Sequence, residues 1–154
     1  MTLIQKADHS NLSEFLAQNK IPCNLIFYDG DCGFCNRFVR FVWEHDQNGE
    51  FFFCALQSQL ANELLSKHGV EDEDLHDLKT LYYKQSTELH RKSQAVFRIL
   101  SQLNLLPDFL VKIAPQCLCD IGYDLVARMR KILPVGSICV IPPEAVRKRF
   151  LEED

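Results

Sequence analysis

The hydrophobic pattern of the first half of the chain predicts two buried strands, each followed by an amphipathic helix. Residues 24–28 and 50–56 are nearly unbroken apolar runs, as in strands buried on both faces of a sheet. Residues 32–46 and 58–68 carry apolar residues at helical spacing, and Gly69 follows as a typical helix end. The inward face of the first helix is predicted to hold Phe34, Phe38, Phe41, Val42 and His45. This βαβ order implies two parallel strands joined by a right-handed crossover.

The second half of the chain predicts a hairpin and then a series of helices. Residues 78–84 and 87–92 form the two strands of the hairpin, on either side of a short turn. Ser93 is predicted to N-cap the next helix, and two prolines bracket a short apolar helix after it. Residues 120–133 form a last long helix, whose predicted inward residues are Leu125, Met129, Ile132 and Leu133. The order β-α-β-α-β-β-α followed by further helices predicts a thioredoxin-like α/β sandwich with a C-terminal helical extension.

Length and charge narrow the class of protein. The 154 residues predict one domain over residues 21–154, with residues 1–20 as a peripheral N-terminal segment. The net charge is −4, and the basic run 147–149 is short and bordered by acidic residues, so we expect a solvated helix end and no nucleic-acid binding. The N-terminus has no apolar segment of a secretory signal, and no apolar run reaches the roughly 20 residues that span a bilayer. We therefore expect a cytoplasmic protein without membrane insertion.

The candidate active site lies where the first strand gives way to the first helix, at Asp29-Gly30-Asp31-Cys32-Gly33-Phe34-Cys35. A helix N-terminus stabilises a thiolate, which favours Cys32, and Cys35 lies one turn further on the same face. In disulfide exchange a thiolate attacks a disulfide and a second thiol resolves the mixed disulfide, and one helical turn gives the second thiol that reach. The spacing predicts a redox dithiol in which Cys32 attacks and Cys35 resolves. It requires no cofactor beyond an external thiol donor.

The residues around the dithiol allow more than one interpretation. A carboxylate beside Cys32 opposes thiolate formation. Asp29 is interpreted either as the general base that takes the proton of Cys35 or as a residue that holds the turn. Asp31 is predicted to N-cap the helix. Phe34 is predicted to pack inward, with an apolar rim that faces a partner protein as the alternative.

The remaining cysteines are weaker candidates. Thiols in a reducing compartment are mostly free, and most of the seven cysteines are expected to act as small apolar residues. Cys54 is predicted to be core. Core or bystander positions are predicted for Cys23, Cys117, Cys119 and Cys139, with a regulatory or accessory resolving thiol as the alternative. A structural zinc site needs a second ligand pair, and the spacing of Cys117 and Cys119 is too tight for a zinc knuckle. A metal-holding role for the dithiol stays open as an alternative, with no metal ligand predicted.

Several segments match the pattern of one known family. Its Asp-x-x-Cys-x-x-Cys signature is matched by Asp29, Cys32 and Cys35. Further matches are Val39-Arg40-Phe41, Asp46, Phe53-x-x-Leu56-Gln57-Ser58, Lys92-Ser93-Gln94-Ala95-Val96, Tyr123-Asp124-Leu125-Val126-Ala127-Arg128, Arg130, Cys139 and Pro142. Over about residues 23–143, the chain resembles the DCC family of predicted thiol-disulfide oxidoreductases.

The resemblance implies a thioredoxin-like fold and exchange with a protein or a small-molecule thiol or disulfide. It also implies that Ser93, Tyr123 and Arg130 share the face of the dithiol, and we expect Ser93 and Arg130 to bind substrate. The alternatives are a helix cap for Ser93, a core aromatic for Tyr123 and a surface ion pair for Arg130. Thioredoxins dock the substrate backbone on a proline before the third strand, but residues 74–79 contain none. A second hypothesis is a thioredoxin-like binding module whose dithiol is a redox sensor or metal holder.

Overall fold

Four strands form one mixed sheet in the computed structural model, which describes residues 21–71, 80–129 and 142–151. The strands are β1 (Asn24–Tyr28), β2 (Phe51–Ala55), β3 (Tyr82–Gln85) and β4 (Glu88–Arg91), in the order β2-β1-β3-β4. β1 pairs with β2 in parallel and with β3 antiparallel, and β3 pairs antiparallel with β4. The predicted βαβ opening and the hairpin are thus confirmed. The predicted segment 1–20 lies outside the described residues.

Six helices accompany the sheet in the described part of the chain. They are α1 (Gly33–His45), α2 (Gln59–Lys67), α3 (Lys92–Gln102), α4 (Asp108–Ile113), α5 (Gln116–Met129) and α6 (Glu144–Arg147). None of the helices in these described residues is long and apolar enough to cross a membrane. The element order matches the predicted one and is consistent with a thioredoxin-like α/β fold.

Helices cover both faces of the sheet because successive residues of a strand point to opposite faces. Phe27 belongs to an apolar cluster that α2 completes with residues such as Leu65. Ile26, the preceding residue of β1, belongs to a second cluster that includes Val39 of α1 and Ile99 of α3. This alternation explains why β1 is apolar along its whole length. It also places α1 and α3 on the same side of the sheet.

The inward face of α1 differs from the predicted one. Its buried residues include Cys35, Val39 and Val42, while Phe34 is 41% exposed and His45 is exposed. The prediction of an inward Phe34 was therefore wrong. The N-terminal turn of α1 lies close to β1, so the small side chains of its first residues face the strands and Phe34 lies at the surface.

The last long helix also differs from its prediction. It begins at Gln116 rather than 120, and its supposedly inward residues Leu125 and Met129 are exposed. Polar bonds fix its rotation, because Asp120 accepts a hydrogen bond from Ser93 and Asp124 forms an ion pair with Lys92 at 3.0 Å. The face of α5 that carries these carboxylates packs on α3, so the apolar stripe predicted to be inward points to solvent. Residues 132 and 133 lie outside the described residues.

The C-terminal segment returns to the sheet, which the sequence did not indicate. Phe53 of β2 donates its backbone N–H to Arg149 O at 2.9 Å and accepts one from Leu151 N at 2.7 Å. Phe150 stacks on Phe53 with ring centroids 4.9 Å apart. Arg149 binds the buried carboxylate of Asp46 at 2.5 Å, so this part of the basic run is not a solvated helix end.

Candidate active site

The two cysteines of the predicted dithiol lie together at the N-terminus of α1. Cys32 is the N-cap residue with extended backbone, and its carbonyl accepts the helical bond from Asn36 N at 3.0 Å. Cys35 follows in the first turn and is only 7% exposed, whereas Cys32 is half-buried. Neither cysteine is part of a disulfide. The arrangement therefore presents one accessible thiol, with a second, shielded thiol one turn behind it.

The turn before the dithiol is held by a residue from the neighbouring strand. Gln57, just after β2, donates its side-chain amide to Asp29 Oδ1 at 2.7 Å and accepts the backbone N–H of Gly30 at 3.1 Å. A Cβ on Gly30 would lie 3.3 Å from the Gln57 carbonyl oxygen, so a glycine suits this close approach. Asn36 adds a bond from its side-chain amide to Gly30 O at 3.0 Å. We call Gln57 together with its partners Asp29 and Gly30 the Gln57 clamp.

Sequence reasoning placed Gln57 in a matching segment without giving it a role. The signal was available, because β1 and β2 are parallel and polar residues that follow the carboxyl ends of parallel strands meet at one edge of the sheet.

Asp29 is part of this clamp, and Asp31 lies beside it. Asp29 Oδ1 also accepts the backbone N–H of Asp31 at 3.1 Å, so its carboxylate holds the turn. Asp31 is exposed, and its Oδ2 lies 3.4 Å from the amide nitrogen of Gln57. The prediction that Asp31 caps α1 was wrong, because Cys32 occupies the N-cap position and makes no side-chain cap bond.

Ser93 is not a helix cap. The N-cap of α3 is Arg91, because strand β4 passes directly into the helix. Lys92 makes the turn with φ of 53° and donates its backbone N–H to Leu81 O at 3.0 Å. Ser93 therefore lies inside the first turn, buried, and its hydroxyl donates to Asp120 of α5.

An apolar cavity of about 280 Å³ lies between α1, α3 and α5. Cys35, Ser93 and Tyr123 line it, so residues that the sequence connected only through a family pattern meet at one site. Tyr123 is half-buried, and its hydroxyl accepts the backbone N–H of Leu81 at 2.8 Å. Cys119 is a further lining residue, which sequence reasoning left among the bystanders.

The other predicted candidates lie elsewhere. Arg130 and Cys139 are outside the described residues, so the role expected for Arg130 stays a prediction. Cys54 is fully buried, as predicted, and Cys23 and Cys117 are exposed. Across residues 21–71, 80–129 and 142–151, no three His, Cys, Asp or Glu side chains group closely enough to hold a metal ion.

Comparison with known proteins identifies the family. The family model described as DCC1-like thiol-disulfide oxidoreductase matches residues 26–134, which contain the dithiol, the Gln57 clamp and every residue found to line the cavity. This chain belongs to the DCC family. No solved structure matches it significantly.

Two similar proteins align with most of this chain. The uncharacterised protein YuxK of Bacillus subtilis is 28% identical over 141 residues, which cover 88% of this chain and 99% of that protein. A chloroplastic DCC family protein of Arabidopsis thaliana is 33% identical over 121 residues, which cover 77% of this chain and 67% of that protein. DCC membership connects the chain to thiol-disulfide oxidoreductases as a family.

Proposed function

We propose that the protein is an enzyme that exchanges disulfides through Cys32 and Cys35. The observation that carries the proposal is the difference in exposure between two cysteines one helical turn apart, at the end of the strand that leads into α1. An attacking thiol must be accessible, and a resolving thiol must reach the first sulfur while being shielded from solvent reagents. Cys32 suits the first role and Cys35 the second.

The reaction proceeds in two exchanges. The Cys32 thiolate attacks one sulfur of a substrate disulfide, the disulfide bond breaks, and one substrate thiolate leaves and takes up a proton. Cys35 then loses its proton and attacks the Cys32 sulfur, which releases the second substrate thiolate. The dithiol loses two electrons and becomes a disulfide, while the substrate disulfide is reduced to two thiols. Two external thiols then reduce the Cys32–Cys35 disulfide by the same two exchanges in reverse, and they leave joined as a disulfide.

Asp29 and the compartment belong to the same proposal. Asp29 follows β1 and precedes the dithiol. We assign it the role of general base that takes the proton of Cys35 during the resolving step. Its bonds to the Gln57 clamp fix the carboxylate in one orientation, which supports such a role. We also place the reaction in the cytoplasm, since the cysteines of the described residues form no disulfide in this structure, as in proteins of a reducing compartment.

A redox titration tests the dithiol. The protein is equilibrated in defined thiol-disulfide buffers, alkylated and analysed by mass spectrometry. We expect a reversible two-electron transition that joins Cys32 to Cys35. Cys35→Ser should accumulate a mixed disulfide on Cys32 with a model disulfide, and Cys32→Ser, as the matched control, should accumulate none on Cys35. If no disulfide joins the pair at any potential, the proposal is wrong and the dithiol is a binding or metal-holding element.

Asp29→Asn separates proton transfer from support of the turn. The amide keeps an oxygen for the clamp but cannot accept a proton. General acid–base groups typically contribute about 100-fold or more. We therefore expect resolution of the mixed disulfide by Cys35 to slow about 100-fold at neutral pH. An unchanged rate of resolution would mean that Asp29 supports the turn and takes no proton.

A further inference from the structure

The cavity beside the dithiol has walls from three helices, and Cys35 is part of one wall. α1 contributes Phe34 and Cys35, α3 contributes Phe97, and α5 contributes Tyr123 and Val126. Phe34 and Val126 are 41% and 46% exposed, so these two wall residues also form the mouth. The cavity is roughly twice the size of an engineered apolar cavity of about 150 Å³ that takes benzene. Its volume therefore suits an apolar group of about two fused rings.

The chemistry of the wall argues against a charged occupant. No Asp, Glu, Lys, Arg or His lines the cavity in the described part of the chain. The hydroxyl proton of Ser93 is used on Asp120, and Tyr123 Oη accepts from Leu81 N. A carboxylate or ammonium placed there would lose its hydration without gaining an opposite charge from the described wall, which is costly. A thiol such as glutathione, with two carboxylates and an ammonium group, does not suit this wall.

The backbone beside the cavity argues against an extended peptide. Leu81 lines the cavity just before β3, where a thioredoxin-like domain would offer main-chain groups to a substrate. Its N–H donates to Tyr123 Oη at 2.8 Å, and its C=O accepts Lys92 N at 3.0 Å. α5 and the start of α3 therefore occupy both hydrogen-bonding groups. A peptide strand at this position would have to break these bonds first.

We propose that this cavity binds the apolar ring portion of a small, uncharged disulfide or thiol while its sulfur exchanges with the dithiol. The inference rests on the proposed function and narrows its substrate class. Burial of the ring system would hold the reacting sulfur next to α1, so substrates with such a group react faster at the same intrinsic thiol reactivity. Cys119 lies in the cavity wall together with Cys35. Its reactivity can therefore be used to measure whether the cavity is occupied.

Protection of Cys119 tests binding without using the dithiol. In the Cys32→Ser variant, the alkylation rate of Cys119 by iodoacetamide is measured with increasing 2-naphthol, an uncharged two-ring probe. We expect about ten-fold protection at roughly ten times the dissociation constant. Cys117 lies on the same helix but is exposed and does not line the cavity, so its rate should stay constant as the internal control. Equal rates for Cys119 with and without probe would refute the binding site.

A pair of matched disulfides tests the substrate class. The disulfide of methyl 4-mercaptobenzoate is uncharged, and the disulfide of 4-mercaptobenzoate is its charged counterpart. We expect kcat/KM to favour the uncharged disulfide by roughly ten-fold, the low end of what a hydrophobic pocket provides. Because Asp29 and Asp31 also repel an anion, the preference must be shown to depend on the cavity.

Substitutions at Gly122 provide that control. Gly122 lines the cavity, and a Cβ built on it meets nothing within 4 Å. Gly122→Leu should fill space at the cavity and remove the preference, while Gly122→Ala should keep it, although both improve helix propensity. Cys119→Phe fills the cavity from one turn away and should act as Gly122→Leu does. A preference that survives both filling variants would overturn the proposal.

The outcomes separate the cavity from the dithiol. Faster reduction of a cyclic peptide disulfide with Trp beside Cys than of the uncharged small disulfide would overturn the choice of a small molecule. Exchange with none of these disulfides would refute the proposed function and the substrate role of the cavity together. The protection of Cys119 would then show whether the cavity still binds an apolar ring.

Discussion

Gln57→Glu converts the clamp beside the dithiol into a cluster of three carboxylates. The wild-type amide donates to Asp29 at 2.7 Å and lies 3.4 Å from Asp31 Oδ2, so the new carboxyl group would face both acids at short range. Gln57→Ala is the matched control, because it removes the same hydrogen bonds without adding charge. The difference between the two variants isolates the electrostatic contribution.

The magnitude follows from the geometry and the exposure of the site. Loss of the two main bonds of Gln57 should cost about 1 kcal/mol in Gln57→Ala, since the freed groups are exposed to water. Two unit charges about 4 Å apart repel by about 1 kcal/mol in water and more in a partly buried site. For two neighbouring acids, screened at the surface, Gln57→Glu should unfold about 2 kcal/mol more easily than Gln57→Ala at neutral pH.

The sign of the pH dependence is fixed by the same repulsion. Like charges raise the pKa of the new carboxyl group in the folded state, so the folded state binds more protons than the unfolded state. The extra destabilisation is therefore complete above the raised pKa and disappears as pH falls below the unfolded value. Urea unfolding of reduced protein at pH 7.5 and pH 4.0, followed by the fluorescence of the single Trp43, measures the difference.

Two results would refute this reasoning. Equal stability of Gln57→Glu and Gln57→Ala at pH 7.5 would mean that Gln57 does not face the acids in solution. A gap between the variants that persists at pH 4.0 would mean that the cost is steric rather than electrostatic. The alkylation rate of Cys32 provides an independent readout, and it should fall in Gln57→Glu because added negative charge disfavours the thiolate.

Two further predictions concern the scaffold that holds the site. Burial lowers the pKa of His90, so the folded state binds fewer protons than the unfolded state, and stability should fall as pH drops below about 6.5. His90→Leu should flatten this fall in the urea midpoint between pH 7.5 and 5.5, whereas His68→Gln, at an exposed position, should retain the wild-type slope. Arg149→Ala should cost about 3 kcal/mol, because it leaves the carboxylate of Asp46 buried with only its backbone donors. Arg147→Ala, which alters an exposed side chain, should stay within about 0.5 kcal/mol of wild type in the same denaturation assay, and equal losses in the two variants would contradict this account.

Local patterns were sufficient for the elements and for the dithiol. The apolar run of β1 and the helical spacing of apolar residues in α2 can be read within each segment, without knowledge of what the segment contacts. The strands and helices were therefore predicted in the right order. The spacing of Cys32 and Cys35 places them one turn apart in any helix that begins there. These features depend on backbone geometry alone.

Tertiary contacts decided the features that depend on which elements meet. At the start of α3, Ser93 donates to Asp120 and Lys92 donates to Asp124, and these bonds set the rotation of α5. The apolar stripe of α5 therefore faces solvent although its helical spacing is correct. The return of Phe150 to β2 depends on a pairing between segments far apart in the chain.

The sequence by itself therefore determined the strands, the helices and a dithiol at a helix N-terminus, because these follow from neighbours within a few residues. Only the tertiary structure decided that Gln57 holds the dithiol turn and that Cys35, Ser93 and Tyr123 line one apolar cavity. These residues come from different elements, and their meeting depends on the packing of the helices on the sheet. Periodicity shows that a helix has an apolar face, but only the packing of its partners determines what that face contacts.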